Sequence, residues 1–239
     1  MQSLEAEIED ARQLAVNDLA DAIESIGFEC TRCGACCKGE AEDDHTATVF
    51  PDEVRDIEEG DSYDGDYDWR DVARPMPYGL SETGDGGLEG ETFEWALQTD
   101  SCGDCTFYEE DESGTGACTA HDDRPLICQT YPFSVALAGT SQPMGEAVDS
   151  VALEAQRETG EAGDEAGVLQ AHECEGLGRD ISRADAEELA RALKERAVRE
   201  LEEAIAVRDE YEPANPDPSE VVVHDSEGAK RVDGTPLEE

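Results

Sequence analysis

The chain has 239 residues, of which 62 are Asp or Glu and 17 are Lys or Arg, for a formal net charge of -45. So acidic a surface excludes unassisted nucleic-acid binding, which depends on cationic contacts to phosphate, and no apolar run approaches the roughly 20 residues of a membrane span. Leu, Ile, Val and Phe supply only 41 residues, below the roughly one-fifth that in highly charged chains accompanies disorder, so any fold needs support beyond apolar burial.

The acidic balance, with Lys38, Lys194 and Lys230 as the only lysines, reads as the coat of a halophilic protein. At molar salt the Debye length falls to roughly 3 Å, and carboxylates that would repel in dilute buffer are screened. Met1 to Ile26 lacks the basic stretch and apolar run of a secretory leader, which predicts a cytoplasmic protein whose thiols stay reduced.

Leu4, Ile8, Ala11, Ala15, Leu19, Ala22 and Ile26 recur at helical spacing and predict one amphipathic helix over residues 4–26. It leads into Cys30-Thr-Arg-Cys33-Gly-Ala-Cys36-Cys37, four of the chain's 9 cysteines within eight residues. Thiolates at this spacing on a turning backbone suit one tetrahedral ion or one iron–sulfur cube, and Gly34 supplies the positive φ of such a knuckle. The side chains of adjacent Cys36 and Cys37 diverge, so Cys37 is expected to turn to a second site or to stand behind the first.

Further on, Pro51 to Ile57 predicts a short helix with proline in its first turn. Asp61 to Gly90 reads as an acidic insertion with one helical turn at Trp69 to Val72. Alternation at Phe93, Trp95 and Leu97, and again at Phe133, Val135 and Leu137, predicts half-buried strands. Cys102, Cys105, Cys118 and Cys128 fall on loops between them. Gly139 to Gly167 is acidic and without pattern. Ser182 with Asp185 marks a helix start, and Leu189, Leu193, Ala197, Leu201, Ala204 and Ile205 carry its apolar face to about Glu210. Beyond Pro213 the tail reads as acidic and mobile, with Val221–Val223 available as an edge strand.

These elements predict an α+β fold: a small, metal-stapled, cysteine-rich core with short strands, flanked by N- and C-terminal amphipathic helices. The expected organisation is an N-terminal helix (1–26), a cysteine-cluster metal-binding domain (27–180) with an acidic insertion (60–90), a C-terminal helix (181–211) and a tail (212–239). A structural zinc site in a small peptide contributes roughly 10 to 16 kcal/mol, enough to offset a thin core. An odd cysteine count in a reducing compartment favours metal over disulfides.

The segment Arg124-Pro125-Leu126-Ile127-Cys128-Gln129-Thr130-Tyr131-Pro132-Phe133, taken with the first loop, resembles the CxxCxxCC cysteine-cluster family, also called YkgJ-like, a group described as chelating zinc or iron. Cys105 with Phe107, Cys118 six residues before Arg124-Pro125, and Cys174-Glu-Gly176-Leu-Gly178 fall in register with that pattern. His121, Ala120 and Gln129 depart from it. The resemblance implies a metal set of Cys30, Cys33, Cys36, Cys37, Cys105, Cys118, Cys128 and Cys174, leaving Cys102 extra. Arg124 and Arg32 are candidates to donate to sulfur and offset thiolate charge. His121 and His172 lie near cysteines, but eight thiols make a histidine ligand unnecessary; His45 and His224 read as surface residues.

The cysteine run with remote partners is closer to ferredoxin spacing than to paired zinc knuckles, which points to an iron–sulfur cluster of the 4Fe–4S type, with room for a second metal site and a redox or cluster-carrying role. The alternative is a structural zinc-binding interaction module. A cluster-dependent group-transfer enzyme is a third reading, since some flagellin lysine-methylases resemble this cysteine pattern. Whether the protein is an enzyme stays open, as does its protein partner.

Overall fold

The computed structural model describes residues 2–39, 44–60, 67–84, 86–143, 145–153 and 168–237. It is an α+β protein of helices and several small sheets. By its contacts the chain divides into two compact units, Met1–Cys36 with Leu126–Glu202, and Cys37–Pro125 with Glu203–Glu239. Among the described residues no helix is long and apolar enough to cross a membrane.

In the first unit the predicted 4–26 helix is two helices, Leu4–Gln13 and Val16–Ile26. Leu14 and Ala15 between them take extended ψ values of 123° and 122°. Asn17 and Asp18 are weak helix formers in mid-helix, but Asp18 favours the positive end of a new first turn, so a break costs little here. The first helix is capped by Ser3, whose hydroxyl accepts from the Ala6 N–H. Ile8 and Ala11 are buried on one helix and Leu19, Ala20, Ala22 and Ile23 on the other.

The same unit holds a three-stranded antiparallel sheet in the order Phe133–Val135, Leu169–His172, Ala147–Val151. Phe133, Ser134 and Val135 are all buried, so this short edge strand does not alternate as expected, and Leu137 lies beyond its end. One strand crosses the stretch expected to lack pattern, of which residues 144 and 154–167 lie outside the described residues.

The long helix Arg183–Glu210 starts where Ser182 and Asp185 predict, with the Ser182 hydroxyl accepting from the Asp185 N–H. Its buried face is Ala186, Ala190, Leu193, Ala197 and Leu201, interrupted by Arg196 and Glu200. Arg196 is 2% exposed: Nε donates to Glu200 Oε1 at 2.8 Å, Nη2 to the Ser141 carbonyl at 2.6 Å and Nη1 to Thr130 Oγ1 at 3.1 Å. The Ser141 N–H donates to the other Glu200 oxygen at 3.0 Å. A buried ion pair so fully hydrogen-bonded is tolerated, and it ties this helix to the one that carries Cys128.

The second unit has the predicted helix at Pro51–Glu59, with proline in its first turn, and the helical turn at Trp69–Val72. Strand Trp95–Leu97 lies between Thr48–Val49 and Ala73–Pro75, both antiparallel to it. Trp95, Ala96 and Leu97 are all buried and Phe93 is exposed, which again replaces the expected alternation with a short, fully covered strand. Much of the predicted insertion is ordinary strand and turn; residues 61–66 and 85 lie outside the described residues.

The tail differs most from expectation. Val221–Asp225 pairs with Gly228–Arg231 on one side and, in parallel, with Leu88–Thr92 on the other, so it is an interior strand rather than an edge or a mobile segment. Val222 and Val223 are fully buried. Asp225 accepts from Trp95 Nε1 at 2.8 Å and from Lys230 Nζ at 2.9 Å, and Lys230 also lies 5.2 Å from the Trp69 ring centroid. His45 and His224, expected at the surface, are 2% and 4% exposed. His224 stacks on Phe93 and meets Glu91 at 2.7 Å, so its acidic sequence context supplies a partner rather than solvent.

Candidate metal centre

The division of the chain also divides its cysteines. Cys30, Cys33, Cys36, Cys128 and Cys174 belong to the first unit; Cys37, Cys102, Cys105 and Cys118 belong to the second. All nine are thiols rather than disulfides. Cys30, Cys36 and Cys102 are exposed, Cys105 is buried, and the rest are partly covered.

In the first unit, close backbone contact does the positioning. Gly27, Phe28 and Glu29, just ahead of the first cysteine, run antiparallel to Gly176, Leu177 and Gly178: the Glu29 N–H donates to Gly176 O at 3.1 Å and the Gly178 N–H to Gly27 O at 3.0 Å, with Phe28 bridging Leu177. A Cβ on Gly176 would lie 2.3 Å from the Glu29 carbonyl oxygen, and one on Gly27 would lie 2.3 Å from that of Arg179. Two segments this close leave no space for a side chain at Gly27 or Gly176, whereas Gly178 has open space around it and instead takes a φ of 75° that favours glycine. Cys174 is thereby brought to the first loop.

The Tyr-Pro-Phe segment is the second positioning device. Tyr131 donates its hydroxyl to the Glu173 carbonyl, next to Cys174, and Phe133 packs edge-on against Phe28 at 5.9 Å between ring centroids. Tyr131 follows the helix Leu126–Thr130, three residues after Cys128. Burial pushes the Tyr131 hydroxyl well above the usual tyrosine range, and the thiolates of Cys174, Cys36 and Cys33 push it further. The Cys174 thiol is likewise raised, by burial first and then by Cys33, Cys36 and Cys30, against a lowering hydrogen bond from the Gly176 N–H at 3.3 Å. Four sulfurs from two distant stretches therefore share one electrostatic neighbourhood.

The first loop itself turns through Arg32 at φ 58° and Gly34 at φ 76°, then enters a single 3-10 turn, Ala35–Cys37. Arg124, the other candidate to support sulfur, donates Nε to the His121 carbonyl at 2.9 Å, and belongs to the second unit.

In the second unit, the Cys105 N–H donates to the Cys37 carbonyl at 2.8 Å, and the Tyr108 N–H donates to the Cys105 carbonyl at 2.9 Å. Tyr108 is in turn the cross-strand partner of Cys118 in the hairpin Tyr108–Glu110 with Gly116–Cys118. Lys38 donates to Glu110 at 2.7 Å and lies 5.2 Å from the Tyr108 ring, and the Gly39 N–H donates to Asp104 at 2.9 Å. Cys102 sits on a turn where Asp100 Oδ1 accepts from the Cys102 and Asp104 N–H groups, at 2.7 and 3.1 Å.

The donor set decides which ligand fits. His172 is committed to the protein on both ring nitrogens, with Ser134 Oγ at 2.9 Å and the Gly145 carbonyl at 3.2 Å. His121 is exposed beside Asp122. The cysteines supply sulfur, and soft thiolates suit zinc and iron–sulfur clusters rather than magnesium or calcium. The sequence calls for sulfurs gathered round a common point. The structure brings four of them within electrostatic reach, yet among the described residues no three His, Cys, Asp or Glu side chains form a finished metal site. Sequence reasoning missed Gly27 and Phe28, and the signal was available in the glycine and aromatic placed directly before the cysteine run.

Cys118 ends a strand and Cys128 sits in a helix, not on the loops expected for them, because local backbone hydrogen bonding continues through both segments; cysteines so distributed, with glycines closing up the backbone beside them, are the mark of a cysteine-cluster metal-chelating domain. The family model for CxxCxxCC, described as "Putative zinc- or iron-chelating domain", matches residues 29–164. The chain belongs to that family. The matched span contains eight of the nine cysteines, including Cys102, and Cys174 lies beyond its end. No curated protein and no solved structure matches the chain.

Proposed function

We propose that the first unit holds an iron–sulfur cluster on Cys30, Cys33 and Cys36 with a remote fourth thiolate from Cys174 or Cys128, in a cytoplasmic protein with a redox or cluster-carrying role. The observation that carries this reading is the Gly27–Glu29 pairing with Gly176–Gly178, which brings a remote cysteine to a three-cysteine loop, the arrangement of ferredoxin-type clusters. A bound cluster would supply a one-electron couple or a transferable iron–sulfur unit. The chain's own part is to present sulfur and moderate its charge: the Gly176 N–H donates to Cys174, and Arg32 lies inside the loop. The same sulfurs suit structural zinc, in which case the protein is an interaction module.

The deciding experiment is anaerobic purification in high salt, followed by metal analysis, acid-labile sulfide assay and an absorption spectrum. The proposal expects iron with sulfide and a brown, oxygen-sensitive sample. Stoichiometric zinc without sulfide selects the structural alternative and overturns the cluster.

A further inference from the structure

We infer that Thr31, between the first two cysteines of the run, donates a hydrogen bond to an inorganic sulfide of the bound cluster and so raises that cluster's reduction potential. This rests on the reading that the first unit holds an iron–sulfur cluster, and it adds a residue that tunes the cluster rather than one that ligates it.

The observation that carries it is an orphaned atom. Thr31 Oγ1 is buried and, among the described residues, has no hydrogen-bond partner. A hydroxyl cut off from water normally finds an acceptor, because an unpaired one forfeits its hydration with nothing in return. The usual local outlet for a threonine is the carbonyl three or four residues earlier. Here the carbonyl four residues earlier, that of Gly27, accepts from the Gly178 N–H at 3.0 Å, in the backbone pairing that braces the loop. Other polar groups around the cysteines are engaged: the Tyr131 hydroxyl donates to the Glu173 carbonyl, and the Cys174 sulfur accepts from the Gly176 N–H at 3.3 Å. Thr31 keeps a proton to donate and no protein atom to receive it.

Its position indicates the missing acceptor. Thr31 directly follows Cys30 and stands two residues before Cys33. Cys30, Cys33 and Cys36 act together on the Cys174 thiol, so the hydroxyl is buried within the loop from which those sulfurs arise. A zinc ion bound there would bring positive charge and no acceptor, and the hydroxyl would stay unpaired. An iron–sulfur cluster brings inorganic sulfides, which accept hydrogen bonds. A donor to cluster sulfur favours the reduced form, which carries one more negative charge, and thereby raises the potential. The hydroxyl keeps its proton throughout, and no covalent step is involved.

The test is anaerobic potentiometry of the full-length chain, isolated in high salt with its cluster, against Thr31→Val and Thr31→Ser. Valine keeps the branched shape and removes the donor; serine keeps the donor. Thr31→Val should shift the reduction equilibrium about tenfold toward the oxidised form, a lowering of about 59 mV for a one-electron couple, with iron and sulfide content unchanged. Thr31→Ser should recover most of the potential. Thr31→Ala, which lacks the donor and leaves more room, should show the same lowering should the valine variant fail to fold. An unchanged potential without the hydroxyl, or an equal lowering in the serine variant, would overturn the inference and leave the cluster standing. Zinc without sulfide in the unaltered chain would overturn both, so iron and sulfide assays tell the two failures apart.

Discussion

The two units position their cysteines over different ranges of sequence. In the first, segments about 150 residues apart in sequence are pressed backbone to backbone, with Gly27 and Gly176 giving up their side chains so that Cys174 reaches the first loop. In the second, most of the arrangement is local: Cys102 to Cys118 lie on one turn and one hairpin, to which only Cys37 is imported. Each unit also holds a buried ion pair, Arg196 with Glu200 in the first and Lys230 with Asp225 in the second. The difference teaches that a glycine at 176 is needed where segments distant in sequence must meet backbone to backbone, and that one turn and one hairpin place cysteines near in sequence without it.

The comparison can be broken most forcefully at Arg196. Arg196→Ala leaves Glu200 buried without its guanidinium and should cost about 3–5 kcal/mol in urea unfolding at high salt, whereas the double change to Met and Leu should cost far less, because no buried charge remains. Alkylation should accelerate at Cys128 and Cys174 more than at Cys105 and Cys118. Equal acceleration of both sets would contradict the separate bracing of the two units.

Gly176→Ala comes next. Its Cβ would enter the space of the Glu29 carbonyl and the Phe28 ring, 2.3 and 2.9 Å away, and should cost about 1–3 kcal/mol by overpacking. Metal affinity of the Cys30 loop should fall with it, which cobalt titration of the variant reads.

A smaller effect is expected at Arg32, whose φ of 58° Asn tolerates well. Arg32→Asn keeps the turn and removes the guanidinium, so if Arg32 supports sulfur, metal affinity should drop by about tenfold. Unchanged affinity would assign the residue to the backbone alone.

The smallest effect lies in the second unit. Hydrogen bonds from Arg55 first and then from Lys230 hold the Glu227 carboxyl down to about 2. A depressed folded value means the stabilisation is in place above the ordinary carboxylate range near 4.3 and is lost as pH falls from there through about 2. Glu227→Gln should therefore be less stable than the unaltered chain near neutral pH, and the gap should close on acidification through that window. Urea midpoints across the acid range check it.

Much of this architecture is legible in the chain. The proline-led helix at Pro51, the Ser182 start of the long helix and the α+β class follow from local signals that tertiary structure leaves in place. The break at Leu14–Ala15 was hidden because apolar spacing continues across it, and periodicity reports a buried face rather than an unbroken axis. The tail was misread for a related reason: Pro213 to Glu220 looks solvated, but the three valines after it pair with Leu88–Thr92, a partner more than a hundred residues away that no local pattern reveals. His224 is buried among carboxylates and aromatics because those neighbours bond to it, whereas sequence shows only that they are polar and nearby. At the site, cysteine spacing marked the ligand candidates, but their division between units depends on the turn at Cys36–Cys37 and on hydrogen bonds that spacing cannot supply.

X-ray absorption at the edge of the bound metal, on protein isolated anaerobically in high salt, tests the central claim most directly. The account predicts a first shell of sulfur alone, at about 2.3 Å if zinc is present. A shell of nitrogen and oxygen donors, or a protein that carries no metal when so isolated, would contradict it.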